Sequence, residues 1–126
     1  MDASGHGLPR TCRLRRRPDF TACYETGHRH FSRHFVLFTR HRGTGGWRVG
    51  WAVSRKMGNA VRRNRIKRLL REFFRLHGHM LPCGLDCVAV PKKNLAGVDL
   101  GLDELTRELA PVLRRIAKTA PEGVPA

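Results

Sequence analysis

Acidic residues are scarce in this 126-residue chain: ten Asp and Glu stand against 25 Lys and Arg, for a formal net charge of +15. The shortage is concentrated. Residues 10 to 75 hold nineteen of the basic residues and only Asp19, Glu25 and Glu72, while the remainder is near neutral. A cationic field packed into half a chain is more than solubility requires. It attracts a polyanion and releases that polymer's counterions, so nucleic acid is the leading partner. The same shortage argues against an independent nuclease, because no carboxylate cluster exists in the basic region to hold two metal ions. His28, His30 and His34 lie in that region without an evident acid–base partner.

Long apolar runs are also missing. None approaches the ~20 residues that span a bilayer. The first nine residues, MDASGHGLP, lack the basic start and apolar middle of a signal peptide. A cytoplasmic protein without a membrane partner is expected. Cysteine is limited to Cys12, Cys23, Cys83 and Cys87, and disulfides are not expected in that compartment. Cys83 and Cys87 have zinc-knuckle spacing and His77 and His79 lie near. No second tight ligand pair completes a site, so the thiols read as core filler and no metal is expected on the protein.

The length suits one domain, placed at residues 10–118, with Gly-, Pro- and Ala-rich tails at 1–9 and 119–126. Pro18 to Glu25 reads as a short helix stopped by Gly27. RHFVLFTRH and WRVGWAVS flank Gly43-Thr44-Gly45-Gly46 and predict an antiparallel hairpin, roughly 33–40 with 47–54. A short extended piece near His28 to Phe31 precedes it. Residues 59–75 are the clearest helix, with Asn59 as N-cap and Gly78 beyond its end. LDCVAV at 85–90 reads as a buried strand. A last helix, Asp103 to Lys118, turns Leu105, Leu109, Val112, Leu113 and Ile116 inward, and Pro111 within it should kink it. The order α-β-β-β-α-β-α is that of a small α+β sandwich.

On a helical wheel the 59–75 segment separates cleanly. Ile66, Leu69, Leu70, Phe73 and Phe74 form one stripe, and Asn64, Arg65, Lys67, Arg68, Arg71 and Arg75 fall on the opposite face. Arg62 and Arg63 fall on the apolar side, in a first turn that projects past the core. The like-charge pairs Lys67–Arg71 and Arg71–Arg75 repel at i, i+4. Bound phosphates would relieve that repulsion. A basic amphipathic helix can also lie on an anionic membrane, but here the apolar face is needed for the core.

The stretch GWRVGWAVSRKMGNAVRRNRIKRLLREFF resembles the signature region of the bacterial ribonuclease P protein family, with Arg63-Asn64-Arg65 followed by Lys67, Arg68 and Arg71 as its RNR motif. LRRRPDFTACYETG is similar to that family's first helix, RHFVLF to a sheet strand, and VAVPKKNLAG to a later strand and basic turn. The likeness spans roughly residues 13 to 118, with Pro91, Pro111 and the Gly-rich loop departing from it. It implies a left-handed βαβ crossover, against the general right-handed rule. It also implies a subunit that binds a catalytic RNA and the 5′ leader of precursor tRNA, with hydrolysis carried out by the RNA and its Mg²⁺. The RNR helix would meet the catalytic RNA through Arg63, Asn64, Arg65, Lys67, Arg68 and Arg71.

A cleft between first helix and sheet would take the leader. Phe20 and Tyr24, at i and i+4, share one helix face, and Val36 and Phe38 share one strand face, leaving Phe35 and Leu37 on the other. Unpaired bases stack on such a floor. By residue type alone these four read first as core residues, and it is the family resemblance that turns the reading towards a cleft. Arg15, Arg16, Arg55 and Lys56 could hold phosphates beside the floor, or be solvated charges. A non-catalytic RNA-binding module, such as a ribosomal protein, is the alternative reading.

Overall fold

The computed structural model describes residues 8–119. The tails expected at 1–9 and 119–126 therefore lie outside the described residues, apart from Leu8, Pro9 and Thr119. Helix α1 is Arg17–Thr26, and strands β1, β2 and β3 are His28–Phe31, Phe35–His41 and Arg48–Trp51. Helix α2 is Ala60–His77, strand β4 Leu85–Pro91, and helix α3 Leu102–Lys118. Among the described residues no helix is long and apolar enough to cross a membrane.

Local chemistry sets the helix ends. Pro18 and Asp19 occupy the first turn of α1, where a missing N–H is harmless and a carboxylate suits the dipole. The Asn59 side chain accepts the Arg62 amide at 3.0 Å and starts α2. The Gly101 amide donates to the Glu104 carboxylate at 2.8 Å at the start of α3. That last helix continues through Pro111 to Lys118.

The four strands lie in the order β1-β2-β4-β3, with β1–β2 and β2–β4 antiparallel and β3–β4 parallel. The expected pairing of β2 with β3 is therefore wrong, because β4 is inserted between them. The Gly-rich segment is a wide arch rather than a tight turn. Both the Arg42 and Gly43 amides donate to the Gly84 carbonyl, at 2.8 and 3.4 Å, as the chain passes over the start of β4. A Cβ on Gly84 would lie 3.2 Å from the Gly43 carbonyl carbon, and Gly84 has φ of +76°. The short piece at His28 is indeed a strand, and β3, α2 and β4 make a βαβ crossover between parallel neighbours.

The sheet divides two packing regions. Phe35, Leu37, Val49, Leu85, Cys87 and Ala89 meet Ile66, Leu70, Phe73 and Phe74 of α2 and the inward residues of α3 in the main core. The other face carries a smaller cluster, Leu14, Cys23 and Val88, flanked by Phe20, Phe38 and Val90 beneath α1. Cys23 and Cys87 are thus core thiols, whereas Cys83 is exposed and Cys12 half-buried, so the filler reading holds for two of the four.

Two polar clusters pin this frame. Asp86 of β4 accepts Arg48 Nε and Nη2 at 2.9 Å each, Arg42 Nη1 at 2.5 Å and Arg40 Nη2 at 3.1 Å. Glu108 of α3 accepts the Ser32 hydroxyl at 2.5 Å, the His34 amide at 2.6 Å and pairs with His34 Nδ1 at 2.8 Å, fixing the β1–β2 turn.

Candidate nucleic-acid interface

Burial of one face of α2 forces the other outward. With Ile66, Leu70, Phe73 and Phe74 in the core, Asn64, Arg65, Lys67, Arg68 and Arg71 are exposed and Arg63 is half-buried. The sequence-predicted cationic face is therefore assembled on one helix. Its charge is nearly unopposed: Arg65 lies 3.5 Å from Asp99, with both side chains mostly in solvent, so that pair contributes little. Arg75, by contrast, is bonded to Glu72, which removes it from the open face. Arg63 Nε is enclosed without a hydrogen-bond partner.

Arg62 does not project past the core as expected. It turns back, donating from Nε to the Met57 carbonyl at 3.0 Å and from Nη2 to the Leu95 and Val98 carbonyls at 2.9 and 2.6 Å. It thereby ties the 3₁₀ turn Arg55–Met57, which follows β3, to the turn Lys93–Leu95, which follows β4. Arg55 and Lys56 are exposed in the first of these turns. They stand at the end of the sheet where β3 and β4 finish, next to the start of α2.

The four residues expected to form a floor lie on the α1 side of the sheet. Val36 and Phe38 face α1, and their cross-strand partners Val90 and Val88 continue that face. Tyr24 meets Phe38 edge-on, with ring centroids 4.9 Å apart, and remains 40% exposed. Phe20 lies over Gly50, where a Cβ would come within 2.7 Å of its ring and 3.0 Å of Leu14 Cβ. Only glycine lets the ring settle there. Phe20, Val36 and Phe38 are half-buried, and Phe20 and Phe38 flank the small core while leaving part of each ring at its open margin.

Arg15 and Arg16 are exposed just before α1. The adjoining Arg13 links them to α2. Its guanidinium lies 4.1 Å above the Trp51 ring, and Trp51 stacks on Phe74. Burial, then the charges of Arg71 and Arg15, push Arg13 below its ordinary value. The cationic face of α2 therefore continues around the β3 edge towards α1.

The model of the family described as Ribonuclease P matches residues 8–117. The chain belongs to the ribonuclease P protein family. Curated relatives agree: the ribonuclease P protein component of Oleidesulfovibrio alaskensis is 50% identical over 124 residues, covering 94% of this chain and 99% of the relative. Solved structures agree as well. The RNase P protein from Thermotoga maritima is 36% identical with a TM-score of 0.75, over 82% of this chain and 96% of that one. The Staphylococcus aureus RNase P protein is 33% identical with a TM-score of 0.72, over 85% and 95%. Membership makes this chain a ribonuclease P subunit, part of a tRNA-processing ribonuclease.

Three residues of the α1-facing surface escaped sequence reasoning. Register places Arg29 opposite Phe38 and Phe31 opposite Val36, so both belong to this face, and both are exposed. Lys92 Nζ lies 5.6 Å from the Phe31 ring centroid. Alternation within His28–Phe31 was the available signal, but it becomes informative only when the strand is known to pair with β2.

Proposed function

We propose that this subunit grips the catalytic RNA of ribonuclease P through Arg63, Asn64, Arg65, Lys67, Arg68 and Arg71. It holds the 5′ leader of precursor tRNA on Phe20, Tyr24, Val36 and Phe38, with Arg15, Arg16, Arg55 and Lys56 beside it. The observation that carries the reading is the segregation on α2, where one face is sealed in the core and the other is an open run of cations. Such a face neutralises phosphates without reading sequence. The floor beneath α1 is uncharged and half-open, which suits unpaired bases of any identity. Hydrolysis falls to the RNA with Mg²⁺, in a cytoplasmic particle. The fully buried carboxylate Asp86 is already enclosed by three arginines, an environment that repels a cation.

The test exchanges two variants in the reconstituted particle. Tyr24→Ala should weaken leader-bearing precursor while sparing mature tRNA and assembly with the RNA. Arg65→Ala should damage assembly first. Equal losses of precursor and mature tRNA in a Tyr24→Ala protein that melts normally would remove the leader from this floor.

A further inference from the structure

We infer that Phe31, with Arg29 and Lys92, forms an additional subsite for one unpaired nucleotide at the outer margin of the α1-facing surface, with the base on the ring and the phosphate on the two cations. The inference rests on the cleft reading and extends it to β1, the edge strand.

Geometry places the subsite in line with the floor. Phe31 pairs with Val36 and Arg29 with Phe38, so Phe31 lies diagonal to Phe38 on the same face. Diagonal neighbours on paired strands are about 7–8 Å apart. The aromatic series therefore runs from Phe20 and Tyr24 through Phe38 to Phe31 without leaving the face. Phe31 is 56% exposed, more than Tyr24, so its ring contributes little to the core. It is nonetheless held. Its strand is paired with β2, and its carbonyl accepts Arg115 Nη2 at 3.2 Å. A platform fixed before binding loses little freedom when a base stacks on it.

The surrounding charge selects the occupant. No Asp or Glu occurs between Glu25 and Glu72 in the chain, and Arg29, Arg33, Lys92 and Lys93 all lie on or beside β1 and the end of β4. Glu108, the carboxylate bound to this turn, is taken up by Ser32 and His34. Lys92 Nζ donates to the Ser32 carbonyl at 2.6 Å, which fixes its direction. An ammonium has two further hydrogens to offer. A cation poised over an aromatic ring beside a second cation matches a nucleotide, which presents a π-face and a phosphate together.

The test uses particles reconstituted with the cognate catalytic RNA and a series of precursor tRNAs whose leaders lengthen one nucleotide at a time. Phe31→Ala should bind mature tRNA and the shortest leaders as the parent does. It should lose about 5- to 150-fold in affinity once the leader is long enough to reach β1. Phe31→Tyr, which keeps a ring, should restore binding, while Phe31→Leu should not. Tyr24→Ala serves as the reference for the floor itself. If Tyr24→Ala loses leader affinity and Phe31→Ala does not at any length, the subsite is wrong and the floor stands. If neither variant separates precursor from mature tRNA, the floor reading fails and the subsite with it. If Phe31→Ala changes only the sedimentation of the particle, the ring belongs to a contact between copies of this chain, and the proposal is overturned.

Discussion

Replacing Asp86 by Asn tests whether one buried carboxylate selects the strand order. Asp86 is 0% exposed and receives Arg40 from β2, Arg48 from β3 and Arg42 from the arch that joins them. Each carboxylate oxygen takes two of these bonds. An asparagine keeps one acceptor and turns an NH₂ group towards guanidinium donors, so two bonds are lost and donors face donors whichever way the amide is placed. Removing one partner of a buried ion pair costs about 3–5 kcal/mol. The three arginines keep 17–27% of their surface in water and can rehydrate in part, which favours the lower end of that range, about 3 kcal/mol. For roughly 110 ordered residues, 1 kcal/mol moves the midpoint by about 4 °C, so Asp86→Asn should melt about 12 °C lower.

Circular dichroism melts of parent, Asp86→Asn and Arg42→Gln read this directly. The Arg42 variant leaves Arg48 bidentate on Asp86, and should lose about 1.5 kcal/mol, half the loss expected of Asp86→Asn. A midpoint for Asp86→Asn within about 4 °C of the parent would refute the reasoning. The arginines would then be satisfied by water, and apolar burial alone would place β4 at the centre.

Three further outcomes follow from the same structure. If about six phosphates meet α2 and its flanks, log K for the catalytic RNA should fall with log salt by roughly 0.9 per contact, and Arg65→Ala or Arg68→Ala should each flatten the slope by about one unit; an unchanged slope in both would place the RNA elsewhere. Precursor tRNA mixed with Mg²⁺ and RNA-free protein should remain uncut, and robust leader release would contradict the division of labour. For Glu108, burial raises the carboxyl, but bonds from Ser32 and from the His34 ring and amide outweigh it and hold it below its ordinary value of 4.5. Its stabilisation is therefore present above the ordinary carboxyl range and lost as pH falls through the lowered value. Glu108→Gln should cost about 1.5–3 kcal/mol at pH 7, and denaturant curves should show the gap closing below pH 4.5; a gap of constant size would show that the charge is not what matters.

The helices were legible because their determinants are local. Asn59, the stripe from Ile66 to Phe74 and Gly78 are enough to bound α2, and α2 carries the cationic face. Strand order was not legible, because it depends on contacts between distant segments. Two apolar runs around glycines look like a hairpin whether the glycines make a tight turn or an arch over a third strand. The clue was Asp86. A single carboxylate in a fully apolar run needs buried cations, and Arg40 and Arg48 are available only if β4 lies between β2 and β3. Phe20, Tyr24, Val36 and Phe38 could be assigned to common faces by periodicity, whereas Phe31 needed the β1–β2 register. Arg62 was misread for a related reason: a wheel gives direction around a helix, not the carbonyls of distant turns that wait there.

Both proposed RNA surfaces converge on one end of the sheet, and Arg62 explains how. By holding the carbonyls of Met57, Leu95 and Val98, it docks the start of α2 against the turns that follow β3 and β4. Those turns carry Arg55, Lys56 and Lys93, and Lys92 immediately precedes the second. At the β3 edge, Arg13 bridges the same two regions, seated on Trp51 between Arg71 and Arg15. In the free protein burial, then the charges of Arg71 and Arg15, lower Arg13, and Lys67 opposes Arg71 along α2. A phosphate backbone bound there, as proposed, would remove that repulsion, so RNA binding and stability of the fold would reinforce each other. The main core supplies the rigidity that keeps the charges close while they are unpaired. On the proposed reading, the uncharged floor beside them would gain its selectivity from contrast: phosphates would be drawn to the rim, and only the bases of an unpaired strand would have reason to enter.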